Sequence, residues 1–442
     1  MKRVLIYIAI AASGICQAQT TVREQEQEKP LLTVSDAIKI ALENNFDIRI
    51  SKNDLKIDQT NVSWGNAGAL PQLNANLVDN NGLQNSTQVR SDGTRTELNN
   101  AKNNSLQYGV SLGWTVFDGL GMFARYDRLQ ELEKLGQAEL QGMILDRISD
   151  VVNRYYDLVQ QQQVLASLDT TLVISKQRVE LAHNRYTIGK ASKLEVLNAQ
   201  VDLNTDQTNL LRQKETFASA KIQLNQVLAR DTKIDFKVGD EFLTDRTLLL
   251  PALEETALRQ NPQLQATIIS KQVAEFDLKV IKAQRYPVVG VSTGYNFAET
   301  QSSLGFTTST SAKGLTYGFT ASVPIFNGFN QNRNEKVAKI AIENAKLAAE
   351  QQNQAVIAQL GTAYQTYLTN ISLIDLEAKN EEIAKENLSI TMDKYRIGTI
   401  PTIEYRTAQL NFLNAQVRHS VARYNAKVSE VALRELAGNL SF

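Results

Sequence analysis

The chain is short of cysteine, histidine and proline, with one Cys, two His and seven Pro in 442 residues. The single thiol, Cys16, stands near the N-terminus, so neither a disulfide framework nor a cysteine metal site can be built. His183 and His419 have no spacing suited to a metal or a catalytic triad. No G-x-S-x-G, phosphate loop or dinucleotide fingerprint occurs, which leaves no footing for an enzyme or a resident cofactor. Basic and acidic residues balance at 47 each, so nothing points to nucleic acid. Long apolar runs are missing too, since nothing after the N-terminus approaches the roughly 18 apolar residues that a membrane helix needs.

What is present begins with MKRVLIYIAIAASGICQAQT: Lys2 and Arg3, an apolar run from Val4 to Ala12, then Cys16 and Ala18. Residues 1–18 read as a signal peptide cleaved before Gln19. A lipidated Cys16 is the alternative, although Ile15 before it fits poorly where a small residue is expected. Cleavage leaves a mature chain, 19–442, with 45 basic and 47 acidic residues and no thiol. An exported chain without a membrane helix is either soluble in the periplasm or a β-barrel. The strands decide between these.

The second positive feature is a duplication. RYTIGKASKLEVLNAQ at 185–200 returns as KYRIGTIPTIEYRTAQ at 394–409, an offset of 209. ALENN at 41–45 and Pro71 return as ALRQN at 257–261 and Pro287, an offset of 216. Two repeats follow, about 33–230 and about 250–440, joined by a charged, aperiodic linker at about 231–249 that is expected against the waist of the molecule. Each repeat opens with a helix, near 34–66 and 251–285, before its proline.

Beyond the prolines the apolar period becomes two. Tyr108, Val110, Leu112, Trp114 and Val116 alternate with Gly109, Ser111, Gly113 and Thr115. Leu315, Tyr317, Phe319, Ala321 and Val323 alternate with Thr316, Gly318, Thr320 and Ser322. Residues 71–77 and 287–297 follow the same rule, giving four strands per chain. Large apolar side chains on one face and small polar ones on the other are the pattern of a membrane barrel strand, with Tyr108, Leu112, Trp114, Tyr317 and Phe319 toward lipid. The alternative is a soluble sheet packed on helices. The polar tracts 79–106 and 298–313 read as mobile loops. TVFDG at 115–119 and PIFNG at 324–328 turn each strand pair into the next helix, with Phe117 and Phe326 either at the membrane boundary or in the core.

From about 120 to 186 and 329 to 395 no proline interrupts a heptad series, Leu158, Leu165, Leu172, Val179 and Tyr186 in one copy. Tyr367, Ile374, Glu381, Leu388 and Tyr395 stand in the other, with Glu381 breaking the apolar run. At about 1.5 Å per residue these are helices of roughly 100 Å. The shorter return helix, from about 192 to 230, and the helix ahead of the strands together match that length. The repeated stretch is therefore the far tip of each rod, where Gly189 and Gly398 cap the helix and the chain reverses.

In this ordered duplicate the chain resembles the TolC family of outer-membrane efflux channels. The order is helix, proline, strand, loop, strand, F-[DN]-G, long helix, Y-x-x-G, acidic residue, A-Q, over nearly the whole mature chain. The resemblance implies a mainly α protein with a β-barrel segment, a homotrimer whose four strands per protomer form one twelve-stranded outer-membrane barrel on a long periplasmic coiled-coil barrel. It also implies a Gram-negative outer membrane, a periplasmic adaptor, an inner-membrane pump of the RND or ABC type, and passive conduction of what the pump delivers. By the same resemblance Tyr186, Gly189, Tyr395 and Gly398 form the tip turns at the periplasmic entrance, and Glu195 and Glu404 take its acidic positions. The family's best-known member has an arginine where this chain has Ile400 and an aspartate where it has Thr407, so different bonds are expected to close this entrance, with apolar contact through Ile400 and Tyr405. A periplasmic coiled-coil adaptor or spacer is the rival reading; it shares the export signal and heptads but lacks a lipid-facing sheet.

Overall fold

The computed structural model describes residues 30–303 and 307–440, so the stretch expected to be a signal peptide lies outside the described residues. Strand β1 (Leu31–Leu32) leads into α1 (Val34–Asn44) and α2 (Phe46–Asn61). Strands β2 (Gln72–Val89) and β3 (Arg95–Asp118) follow, then the long helix α3 (Gly121–Thr187) and the return helix α4 (Lys193–Val227). After β4 (Lys237–Val238) the order recurs as α5 (Leu250–Gln260), α6 (Pro262–Ala283), β5 (Val288–Ser302), β6 (Ser309–Ser322), α7 (Asn330–Ile397) and α8 (Thr402–Leu436). The long helices have 67 and 68 residues, about 100 Å each.

The helices expected as single segments before the strands are each broken in two, at Asn45 and Asn261. Asn45 Oδ1 accepts the backbone N–H groups of Asp47 and Ile48, while its Nδ2 donates to the Val227 carbonyl at 2.8 Å. Asn261 repeats the device, accepting from the Leu264 N–H and donating to the Leu436 carbonyl, both at 2.9 Å. One amide thus caps the start of a helix and satisfies a terminal carbonyl of the return helix that ends against it. In this way α4 runs on into α2, and α8 into α6. Both composite rods pack on α3, and α7 packs on the α6/α8 rod, so the helices form a wall ordered α2/α4, α3, α6/α8, α7.

The apolar core gathers halfway along α3, where Val151, Val152, Leu158 and Val159 meet Leu224, Phe236 and Val238. The linker is strapped there: β4 pairs in parallel with β1, and the Tyr155 hydroxyl donates to the Leu32 carbonyl and accepts from the Gly239 N–H. Leu158, Tyr367, Leu388 and Tyr395 of the heptad series are buried. Glu381, the polar interruption, sits 2.6 Å from His419 Nδ1 on α8, which gives a physical reason for both residues.

The sheet order is β2-β3-β5-β6, antiparallel throughout. Its register aligns Leu73 with Leu112, Thr293 and Tyr317, then Leu77 with Tyr108, Phe297 and Lys313, and Trp114 with Val291 and Phe319. Directly paired residues share a face, so Tyr108, Leu112, Trp114, Tyr317 and Phe319 all lie on one apolar side. Ser111, Gly294 and Thr316 align on the other. A bulge between Thr115 and Phe117 shifts the alternation by one, setting Phe117 rather than Val116 opposite Val289. From Val289 to Phe297 the apolar band climbs about 26 Å along the strand, or about 20 Å once tilted like a barrel strand.

The polar tracts correct the expectation of loops. Residues 79–89 and 95–106 are paired strand, closed by a turn at 90–94 in which Gly93 has φ 82°. Among the described residues, only β2 and β3 continue beyond Ser302, so a two-stranded ribbon extends past the described parts of β5 and β6. Both of its faces carry Asn, Gln, Ser and Thr, which hides the alternation, while the ladder satisfies the backbone. Asp92-Gly93 is the hairpin signature that identifies the turn in the sequence.

Candidate functional site

The two tips close in the same way. Lys190 N–H bonds to the Arg185 carbonyl, and Thr399 N–H to the Lys394 carbonyl, with Gly189 at φ 75° and Gly398 at φ 85° between them. Only glycine adopts that backbone freely, which fixes both glycines at the residue after the last helical turn. Ser192 then caps α4 by accepting the Glu195 N–H, whereas Pro401 opens α8 without a side-chain cap.

The side chains on these matched turns have diverged. Glu195 is half-buried; its Oε1 accepts the Tyr395 hydroxyl at 2.8 Å, and Arg185 Nη1 approaches at 3.5 Å. The Arg185 guanidinium also sits 5.1 Å from the centre of the Tyr395 ring, which stacks on Tyr405 at 5.2 Å. Burial above all, helped by the Glu195 charge, pushes the Tyr395 phenol up, so it stays a donor. Ile400 is packed against the cluster of Leu388, Tyr395, Tyr405 and Ala408. Glu195 therefore ties α4 of the first hairpin to α7 of the second. Tyr186, the counterpart of Tyr395, is exposed.

Glu404, the counterpart of Glu195, is exposed and makes no side-chain hydrogen bond or ion pair among the described residues. Thr407, also exposed, lies one helical turn on and bonds back to the Ile403 carbonyl. One acidic position thus holds the hairpins together, and the other is left to water.

About half a turn beyond Glu404 on α8, and three turns beyond Glu195 on α4, lies a second, wholly buried junction that the sequence duplication does not reveal. Arg406 of α8 grips both oxygens of Asp206 on α4 at 2.8 Å each. Gln409 donates to Ser175 Oγ and to the Thr171 carbonyl of α3, and Ser175 donates to Asp206. The junction has no duplicate, because the positions equivalent to Asp206 and Arg406 are Ala415 and Leu197. Gln200, the counterpart of Gln409, is exposed and its side chain bonds, among the described residues, only to Asn204. The available signal is Asp202 with Asp206, one turn apart on a return helix facing Arg178. No cluster of three or more His, Cys, Asp or Glu residues suited to a metal occurs among the described residues.

The chain matches the family model described as outer membrane efflux protein over residues 37–230 and 253–439. Protein CyaE of Bordetella pertussis is 23% identical over 416 residues, covering 92% of this chain and 84% of that protein. The outer membrane protein TolC of Escherichia coli is 21% identical over 460 residues, covering 100% of this chain and 87% of that protein. The fold is also that of the Campylobacter jejuni CmeC outer membrane channel, with TM-score 0.75 and 16% identity over 98% of this chain and 94% of that one. The family match takes in both helical hairpins and both strand pairs, and with it the duplicated plan has its explanation: the chain belongs to the outer membrane efflux protein family.

Proposed function

We propose that this chain is the exit duct of a tripartite efflux or type I secretion system in a Gram-negative outer membrane. Three copies close their sheets into one twelve-stranded barrel on a periplasmic helical tunnel. Cargo reaches it from an inner-membrane pump of the RND or ABC type through a periplasmic adaptor. The observation that carries this reading is the unfinished sheet: β2 and β6 each keep an unpaired edge, and Tyr317 and Phe319 on its apolar face are 84% and 78% exposed. Open strand edges demand a neighbour, and an apolar band of this height fits lipid. Four strands cannot close alone, and eight leave an interior filled by side chains, so twelve is the smallest multiple that leaves a lumen.

The helical wall supports the same assembly. Ile340 and Leu347, then Leu376, Ile383 and Ile390, stand exposed at heptad spacing on α7, and Leu194, Val201 and Leu211 stand exposed on α4 at the opposite flank. A ring of copies covers both flanks. A coiled-coil spacer accounts for the wall but leaves the apolar sheet in water.

Around a threefold axis, three free Glu404 carboxylates form a ring that attracts cations and repels anions. Purified protein in planar bilayers should show a small, cation-preferring conductance, and Glu404→Gln should weaken that preference while assembly is unchanged. Anion preference, or no conductance from a well-inserted sample, would contradict the proposal.

A further inference from the structure

The sheet has one face that carries no charge. Five successive rows of directly paired residues cross β3 at Gly113, Ser111, Gly109, Gln107 and Ser105, and each row runs through all four strands. None of these rows holds a Lys, Arg, Asp, Glu or His. At the 21% charged content of the whole chain, five rows of four would carry about four charged residues. The alternate rows, on the apolar face, do carry charge at the end away from the helices, through Lys313, Asp79 and Glu299. Polar groups of the uncharged face also turn back onto the wall. Asn296 Nδ2 donates to Thr316 Oγ1 at 3.3 Å, and Thr316 Oγ1 donates to the Gly294 carbonyl at 3.2 Å. Asn296 Oδ1 lies over Gly109, 2.4 Å from where a Cβ would stand, so only glycine there lets the amide lie flat. This face has no fixed charge to attract or repel an ion, and part of its hydrogen-bonding capacity is taken up within the wall.

We propose that the barrel section of the duct is charge-blind: it passes anionic, cationic and neutral cargo alike, and selection by charge is made only in the helical section. This rests on the reading of the chain as an exit duct whose apolar face meets lipid. The Glu404 ring lies about 100 Å away along the long helices, and its field fades within about 8 Å at physiological salt. An anion that has cleared the tip therefore meets no second barrier of sign in the barrel.

The test uses full-length protein in lipid vesicles with one cysteine introduced on either face. A Cβ at Gly113, on the uncharged face, meets nothing within 4 Å, so Gly113→Cys fits; Leu112→Cys stands on the apolar face. The parent, whose one cysteine is Cys16, gives the background. Two methanethiosulfonate reagents, one bearing a trimethylammonium and one a sulfonate, are timed on each thiol, and the ratio of their rates is compared with that on free mercaptoethanol. A potential of one kT at the thiol speeds one reagent and slows the other, moving the ratio about sevenfold. Gly113→Cys should match the free thiol within about threefold, and Leu112→Cys should not react. Adding Ser111→Asp to Gly113→Cys should move the ratio more than about threefold toward the cationic reagent; no movement would mean that the two residues do not share a bore, and would overturn the proposal. A ratio in Gly113→Cys alone displaced by more than about threefold toward either sign would overturn the charge-blind bore and leave the duct standing. Reaction at Leu112→Cys in place of Gly113→Cys would overturn the duct reading, and this proposal with it.

Discussion

Replacing Tyr395 by Phe removes one oxygen and leaves the ring, so the stack on Tyr405 and the contact with Arg185 survive. What is lost is the 2.8 Å bond to Glu195, which joins the two hairpins at their tips. A hydrogen bond to a carboxylate contributes about 1.5–3 kcal/mol. The Glu195 side chain is 18% exposed, so water replaces part of the loss and the lower figure, about 1.5 kcal/mol, is the better one. That shifts the balance between joined and parted tips about tenfold in each copy. If three copies part together, the shift approaches a thousandfold. The assay is single-channel current in planar bilayers, with Tyr186→Phe as the control because its exposed hydroxyl has no side-chain partner among the described residues. Tyr395→Phe should raise resting conductance or the frequency of large openings, and Tyr186→Phe should change nothing. Equal behaviour of the two variants would refute the latch.

Other consequences follow from the same geometry. Phe319→Arg or Leu112→Arg, on the apolar face, should cost about 2–4 kcal/mol in lipid, whereas Thr320→Arg or Ser111→Arg should be much milder; urea titration in vesicles distinguishes them. Asp206→Ala removes both short bonds to the buried Arg406 and leaves it Asp202 at 3.7 Å and the Gln409 amide oxygen at 3.2 Å, so it should destabilise the fold by about 3 kcal/mol, the low end for a broken buried pair, while Asp206→Leu combined with Arg406→Leu should recover most of that in thermal melts. Burial pushes the phenols of Tyr155, Tyr405 and Tyr424 up and that of Tyr156 to about 12. The fold therefore favours their neutral forms: this stability is complete below pH ~10, the unfolded value, and is lost as pH rises toward the folded values, which circular dichroism should follow as alkaline unfolding.

Much of this architecture is legible in the sequence because it rests on period and spacing. The change from helical period to period two marks the strands, and the glycines at 189 and 398 mark the tips through a backbone need that no other residue meets as cheaply. The helix breaks are harder to see. Asn45 and Asn261 lie in the matched ALENN and ALRQN segments, but their second role, donating to Val227 and Leu436, depends on helices brought together only by folding. The strand ribbon at 79–106 is hidden because water on both faces removes the alternation that reveals a strand. At the tips, duplication identifies the positions and conceals the division of labour. Glu195 and Glu404 match in sequence, yet one is held by Tyr395 and the other has no side-chain partner among the described residues. The buried Arg406–Asp206 junction has no duplicate, so comparing the halves cannot find it.

The most direct measurement is electron cryomicroscopy of the full-length protein in lipid nanodiscs. Three copies around one continuous lumen are expected, with β2 of each paired to β6 of its neighbour, Tyr317 and Phe319 against lipid, and the Glu404 carboxylates turned to the axis at the far end. A monomer or dimer with those strand edges unpaired, or an assembly with the apolar face turned inward, would contradict the reading of this chain as an exit duct.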